Sequence, residues 1–126
     1  MLNLIFVYGT LRSEFKNRMA RYLRTNASMI TEAYIYGELY EINDYPGAVE
    51  TNNHESLIRG EIFQLFYPDH TLKILDEYEG EEYERKIVHA ISDERTYECW
   101  AYLYCKKTDG LEKIESGDYF KYINLK

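Results

Sequence analysis

The chain has 126 residues, 45% of them hydrophobic, and a net charge of −7 from 22 acidic against 15 basic side chains. That length suits one small domain that buries a core without disulfide or metal staples. The acidic balance argues against nucleic acid and against anionic membranes as partners, since both are bound through clustered Lys and Arg.

Residues 1–126 contain no Pro/Gly/Ser-rich linker, low-complexity tract or fixed-period repeat, so a single domain is expected. The stretch Met1 to Val7, MLNLIFV, is too short to span a membrane. It also lacks the basic start and cleavage site of a secretory leader, so it reads as a buried strand. A reducing cytoplasm is the expected setting. The strand runs into Tyr8, Gly9, Thr10, Leu11 and Arg12. Gly9 can take backbone angles closed to other residues and puts no side chain between the main chain and a ligand. Neighbouring N–H groups can then converge as a nest for an oxyanion or carboxylate. Alone, such a run is more often an ordinary strand-to-turn junction.

Further along, Arg18 to Arg24 reads as a short helix with Met19, Tyr22 and Leu23 at helical spacing. Strands are expected over Ala33 to Ile42 and Gly60 to Phe66, with shorter extended pieces near Ser28 and Val49. Between them, Tyr45, Pro46, Gly47 and Ala48 read as a turn. Asp69 is placed to cap a second helix that runs to about Glu79. Leu72, Leu75 and Tyr78 would form its inward stripe, and Gly80 its left-handed stop. Two more strands follow, Arg85 to Ile91 and Tyr97 to Cys105. The resulting class is α+β, a small, mostly antiparallel β-barrel or curled sheet with a few flanking helices.

Cys99 and Cys105 would share one strand, about 20 Å apart and beyond the roughly 7 Å reach of a disulfide. Both are expected to be packed thiols rather than nucleophiles. His54, His70 and His89 lack metal-ligand spacing, and neither a metal nor an organic cofactor is expected. Tyrosine is abundant, 14 of 126 residues. Its ring fills apolar space while its hydroxyl reaches polar partners, which suits the wall and mouth of a small barrel. Most should pack in the core or rim, and Tyr119 is the first to consider as a pocket wall.

Glu79 closes the second helix, where the carbonyl ends give a partial negative charge. Asp76, Glu77, Glu81, Glu82 and Glu84 crowd it along the sequence. Both effects disfavour a charged carboxylate, and partial burial would raise its pKa toward neutrality. A solvated helix end balanced by Arg85 and Lys86 is the plain alternative.

The order of these pieces resembles the γ-glutamylcyclotransferase-like family, in particular its short bacterial and AIG2-like members. The matching residues are Val7 to Arg12, Tyr45 to Ala48, Leu75-Asp76-x-x-Glu79-Gly80, Tyr83 with Arg85, and Gly117-Asp118-Tyr119. They span nearly the whole chain. Ser13, Glu14 and Phe15 stand where the family usually has a glycine, a departure expected to affect the pocket rim. The resemblance implies a compact barrel with packed helices, and it places Glu79 in the position of the catalytic glutamate.

It also implies a small γ-glutamyl substrate whose own α-amine attacks the γ-carbonyl. A five-membered lactam, 5-oxoproline, forms and an amine departs, so no enzyme nucleophile is needed. Glu79 would act as base and then acid, and the donors of Tyr8, Gly9, Thr10 and Leu11 would hold either the oxyanion or the α-carboxylate. Two other readings stay open at this stage. One is a carboxylate-dependent amidohydrolase that uses water; the other is a non-catalytic module that binds a small ligand in the same cavity.

Overall fold

The computed structural model describes residues 2–125, so Met1, the first residue of the expected opening strand, lies outside the described residues. Strand β1 (Leu4–Val7) has Ile5, Phe6 and Val7 all buried. A run covered on both faces needs apolar residues at every position rather than at alternate ones. Phe6 belongs to the barrel interior, whereas Ile5 and Val7 join a second apolar layer on the outside.

Strand β2 (Ala27–Ile42) is 16 residues long and absorbs the piece expected separately near Ser28. Ala33, Ile35 and Leu39 are buried, while the intervening tyrosines and glutamate are partly exposed, the period of two that a half-buried strand requires. Its pairing with β4 (Leu57–Leu65) shifts register between Met29 and Thr31, and its C-terminal part pairs with β3 (Tyr45–Glu50).

The expected turn at Tyr45 to Ala48 is therefore corrected: these residues begin β3. The reversal falls on Asn43 and Asp44, at φ 47° and 72°, in the left-handed region that short Asn and Asp side chains tolerate. Pro46 is admissible in β3 because that strand lies at the edge of the sheet. Asp93 and Glu94, at φ 48° and 66°, make the equivalent hairpin between β5 (Tyr83–Ser92) and β6 (Arg95–Tyr104).

The strand order is β3-β2-β4-β1-β6-β5, and β5 pairs back onto β2 where Tyr34 faces Ile91. Five strands thus close a barrel, with β3 as an extra strand on β2. Among the described residues only β1 and β6 run parallel, with Ile5 opposite Trp100; the other pairs are antiparallel. The class is α+β and the barrel mostly antiparallel.

Helix α1 (Arg18–Asn26) runs past Arg24, and the Asn17 side chain caps it by accepting from Ala20 N at 2.8 Å. Helix α2 (Pro68–Glu79) starts one residue before Asp69. Its N-cap is Tyr67, without a side-chain cap bond, and Pro68 opens the first turn, where a missing N–H costs nothing. Asp69 is not the cap but lies within that turn, its charge favourable to the helix dipole. Leu72 and Leu75 are buried against the outside of the barrel with Leu23, Phe63 and Tyr102, each worth about 1.5–3 kcal/mol. Tyr78 is 40% exposed rather than inward. The helix stops at Gly80, whose φ of 79° with ψ −167° suits glycine alone and whose N–H bonds the Asp76 carbonyl.

A third helix, α3 (Tyr119–Asn124), follows Gly117. There φ is +67°, and an added Cβ would lie 1.7 Å from the Leu57 carbonyl oxygen. Gly117→Ala is expected to cost roughly 2–5 kcal/mol through left-handed strain plus a backbone clash. Chemical denaturation of the variant checks this, and an unchanged midpoint would contradict it. Among the described residues no helix is long and apolar enough to cross a membrane.

Candidate active site

Beyond Val7 the chain leaves the barrel and makes two successive turns, Arg12 N bonding Gly9 O at 3.1 Å and Phe15 N bonding Arg12 O at 3.0 Å. Gly9 is not in the left-handed region. Glycine is needed there for space, since an added Cβ would sit 2.6 Å from Pro46 Cγ. The absent side chain lets the loop lie directly on β3.

Tyr8 ties this end of the barrel together. Its buried hydroxyl donates to the Tyr102 carbonyl at 2.6 Å and accepts from Ala48 N at 3.2 Å. Burial, with Tyr83 and Glu79 nearby, holds its pKa well above the ordinary phenol value, so it remains a neutral donor. Tyr83 donates to the Pro46 carbonyl at 2.7 Å from the other side.

These contacts frame a cavity of about 310 Å³. Tyr8, Gly9, Thr10 and Leu11 form one wall, and Glu79 with Tyr78 another. Tyr45, Pro46, Tyr83 and Tyr102 also line it, as do Phe6, Val7, Ile42, Asn43 and Glu82. Among the described residues, none accepts from the backbone N–H groups of Gly9, Thr10 or Leu11. The candidates Tyr8, Gly9, Thr10, Leu11 and Glu79 thus meet at one hollow.

Glu79 is half-buried, and its carboxyl has no hydrogen-bond or ion-pair partner among the described residues. Loss of water raises its pKa from 4.5 to about 7. Of the causes expected from sequence, burial is the one that acts, rather than the helix end or the crowd of acids. Asp76 is neutralised by Arg85, which it meets at 2.8 Å and 3.2 Å, and it also accepts from the Tyr102 hydroxyl at 2.7 Å. Burial pushes the Asp76 carboxyl up, but those bonds outweigh it and leave its pKa below the ordinary value. Glu77, Glu81, Glu82 and Glu84 are exposed to water, which screens their repulsion. One turn of helix therefore carries one acid locked as an anion and one poised near neutrality, a separation set by environment alone.

Tyr119 does not line the cavity. It is buried, stacks on Phe15 with centroids 6.0 Å apart, and donates to the Asp44 carbonyl at 2.9 Å, so it holds the β2–β3 turn. The tyrosines that line it are instead Tyr8, Tyr45, Tyr78, Tyr83 and Tyr102, most of them within or beside the motif residues. Ser13, Glu14 and Phe15 also lie off the lining and fasten the loop. Ser13 donates twice to buried Glu61, at 2.6 and 2.5 Å. Glu14 pairs with Arg12, which reaches Asp118 at 3.0 Å, while Phe15 packs edge-on to Phe120.

Cys99 is buried inside the barrel and its thiol pushed up to about 12 by burial. Cys105 is exposed just past β6, not packed as expected. His54, His70 and His89 are all exposed, and His54 stacks on Tyr36. Among the described residues no group of three His, Cys, Asp or Glu is placed to hold a metal ion.

Comparison with known proteins agrees with this geometry. Residues 5–121 match the family described as gamma-glutamyl cyclotransferase, AIG2-like. The gamma-glutamylcyclotransferase family protein YtfP of Escherichia coli K12 is 35% identical over 118 residues, covering 91% of this chain and 94% of that protein. The solution structure of E. coli ytfP superposes with a TM-score of 0.69 at 32% identity, covering 95% of this chain and 98% of that one. An AIG2-like protein from Mus musculus shares the fold, with a TM-score of 0.73 at 19% identity over 90% of this chain and 86% of its own.

Proposed function

From the premise that this chain belongs to the gamma-glutamyl cyclotransferase, AIG2-like family, we propose that it releases 5-oxoproline and a free amine from a small γ-glutamyl amine or γ-glutamyl amino acid. The observation that carries the reading is Glu79. It is half-buried, has no hydrogen-bond or ion-pair partner among the described residues, and lines one cavity with Gly9, Thr10 and Leu11, from whose N–H groups no described residue accepts.

The Glu79 carboxylate takes a proton from the substrate's α-ammonium. The freed amine attacks the γ-carbonyl carbon, closing the ring C–N bond and moving an electron pair onto oxygen. Backbone donors of the Tyr8 to Leu11 loop hold an oxygen of the substrate, and their fixed dipoles need no reorganisation as charge develops. The proton on Glu79 then goes to the departing nitrogen as the old C–N bond breaks. The ring nitrogen's surplus proton passes to the released amine, which leaves as an ammonium. The cavity contributes the folded-back conformer, which makes the attack intramolecular and already oriented. No step needs a metal, and the two free cysteines suit a reducing cytoplasm.

Incubating the purified protein with a panel of γ-glutamyl amines and measuring 5-oxoproline tests the reading. Release of free glutamate instead would mean that water attacks, and binding without turnover would mean a ligand module. The pH dependence adds a second check. Because the base must be deprotonated in the free enzyme, kcat/KM should rise about tenfold per pH unit below an apparent pKa of about 7 and level off above it. A profile flat from pH 5 to 8 would remove Glu79 from the proton transfers.

A further inference from the structure

A second hollow lies between α1 and α2, walled by Met19, Tyr22, Ile74 and Tyr78 with Asn17 and Arg18 at its end. It adjoins the Glu79 cavity, since Tyr78 lines both. The Tyr78 hydroxyl faces the Thr10 side chain, and Asn17 Nδ2 donates to the Thr10 carbonyl at 2.7 Å. Tyr78 therefore borders both hollows, with the loop beside it tied to the start of α1.

We propose that this groove receives the side chain of the leaving group, and that the preferred γ-glutamyl substrates carry a bulky apolar amino acid rather than a glycine or a diamine. The inference rests on the cyclotransferase reading above and concerns the part of the substrate that reading leaves open. Two observations support it. The groove borders the Glu79 cavity, with which it shares Tyr78. Its flanks are apolar, and its only charged residue is a cation, Arg18, with no carboxylate among the lining residues. Such a lining repels the second ammonium of a diamine and attracts the carboxylate of an amino acid. The side-chain amide of Asn17 is already engaged, with Thr10 and as the cap of α1, so it does not select.

Wild type and Ile74→Glu are compared on γ-glutamyl-leucine, γ-glutamylglycine and γ-glutamylputrescine by 5-oxoproline release. Wild type should favour the leucine compound over the glycine one by about tenfold or more in kcat/KM, the scale of a few methylenes in an apolar pocket. Ile74→Glu should collapse that ratio and raise the relative rate on the putrescine compound. Ile74 is only partly buried, so the variant should fold, which circular dichroism verifies. Equal kcat/KM for all three in wild type would overturn the groove and leave cyclisation standing. Should no compound yield 5-oxoproline, the cyclotransferase reading falls, and the groove is judged separately. Methyl NMR of Met19 and Ile74 in Glu79→Gln with γ-glutamyl-leucine should show shifts that γ-glutamylglycine does not cause. Absence of those shifts, whether or not the compound binds elsewhere, overturns the proposal.

Discussion

Glu79→Gln should lower 5-oxoproline release by about 100-fold or more, the usual contribution of a positioned acid–base group, while making the protein more stable above neutral pH. The two effects have one origin. A carboxyl whose pKa is 4.5 when unfolded and about 7 when folded binds more protons in the folded state between those values. Stability therefore falls as pH rises from about 4.5 to about 7, and the charged form costs about 3 kcal/mol above that window. Glutamine has the same shape and no charge, so it escapes the cost. Denaturation of both proteins at pH 5 and pH 8 checks this: the variant should gain at pH 8 and little at pH 5. Glu77→Gln is the control, because that residue is exposed on the same helix. If Glu77→Gln were the one to lose activity, or if Glu79→Gln kept it, the assignment would be wrong.

Gly9→Val should reduce activity at least tenfold and cost about 1–3 kcal/mol of stability, because it overpacks the contact between the loop and β3. Its Cβ alone would stand 2.6 Å from Pro46 Cγ and 3.3 Å from Pro46 Cδ, and a ring closed onto the backbone cannot rotate away. The loop must lift, carrying the N–H groups of Thr10 and Leu11 with it, and a displacement of about 1 Å in such donors is enough to impair catalysis. The companion variant Pro46→Ala locates the effect. Combined with Gly9→Val it should restore part of both losses, and the coupling energy of the double-mutant cycle reads the clash directly. Simple additivity of the two substitutions would show that space at Pro46 is not why glycine stands there.

The same loop explains why Ser13, Glu14 and Phe15 do not line the cavity. Arg12, Glu14 and Asp118 form a partly buried ion cluster, and Ser13 is held by Glu61, so these residues act as the loop's anchorage to α3 and β4. Tyr119, the first tyrosine to consider as a pocket wall, serves one layer further out by fixing the Asp44 carbonyl. Asn43, beside it, does line the cavity.

What the sequence determined by itself is whatever neighbours along the chain decide. The apolar run before Tyr8, the alternation from Ala33 to Ile42, the stripe of Leu72 and Leu75, and the stop at Gly80 all follow from periodicity and local backbone chemistry. They suffice for an α+β barrel and for placing Glu79 at a helix end. The tertiary structure alone decided how far apart residues meet. Tyr8 reaches Tyr102 across 94 positions of sequence, Gly9 owes its identity to Pro46, and Arg85 neutralises Asp76. Glu79 is poised near neutrality because water is excluded and no cation among the described residues pairs with it, not because acids surround it in sequence. Burial and pairing are sums over residues that only folding brings together, and no window of neighbouring side chains contains them.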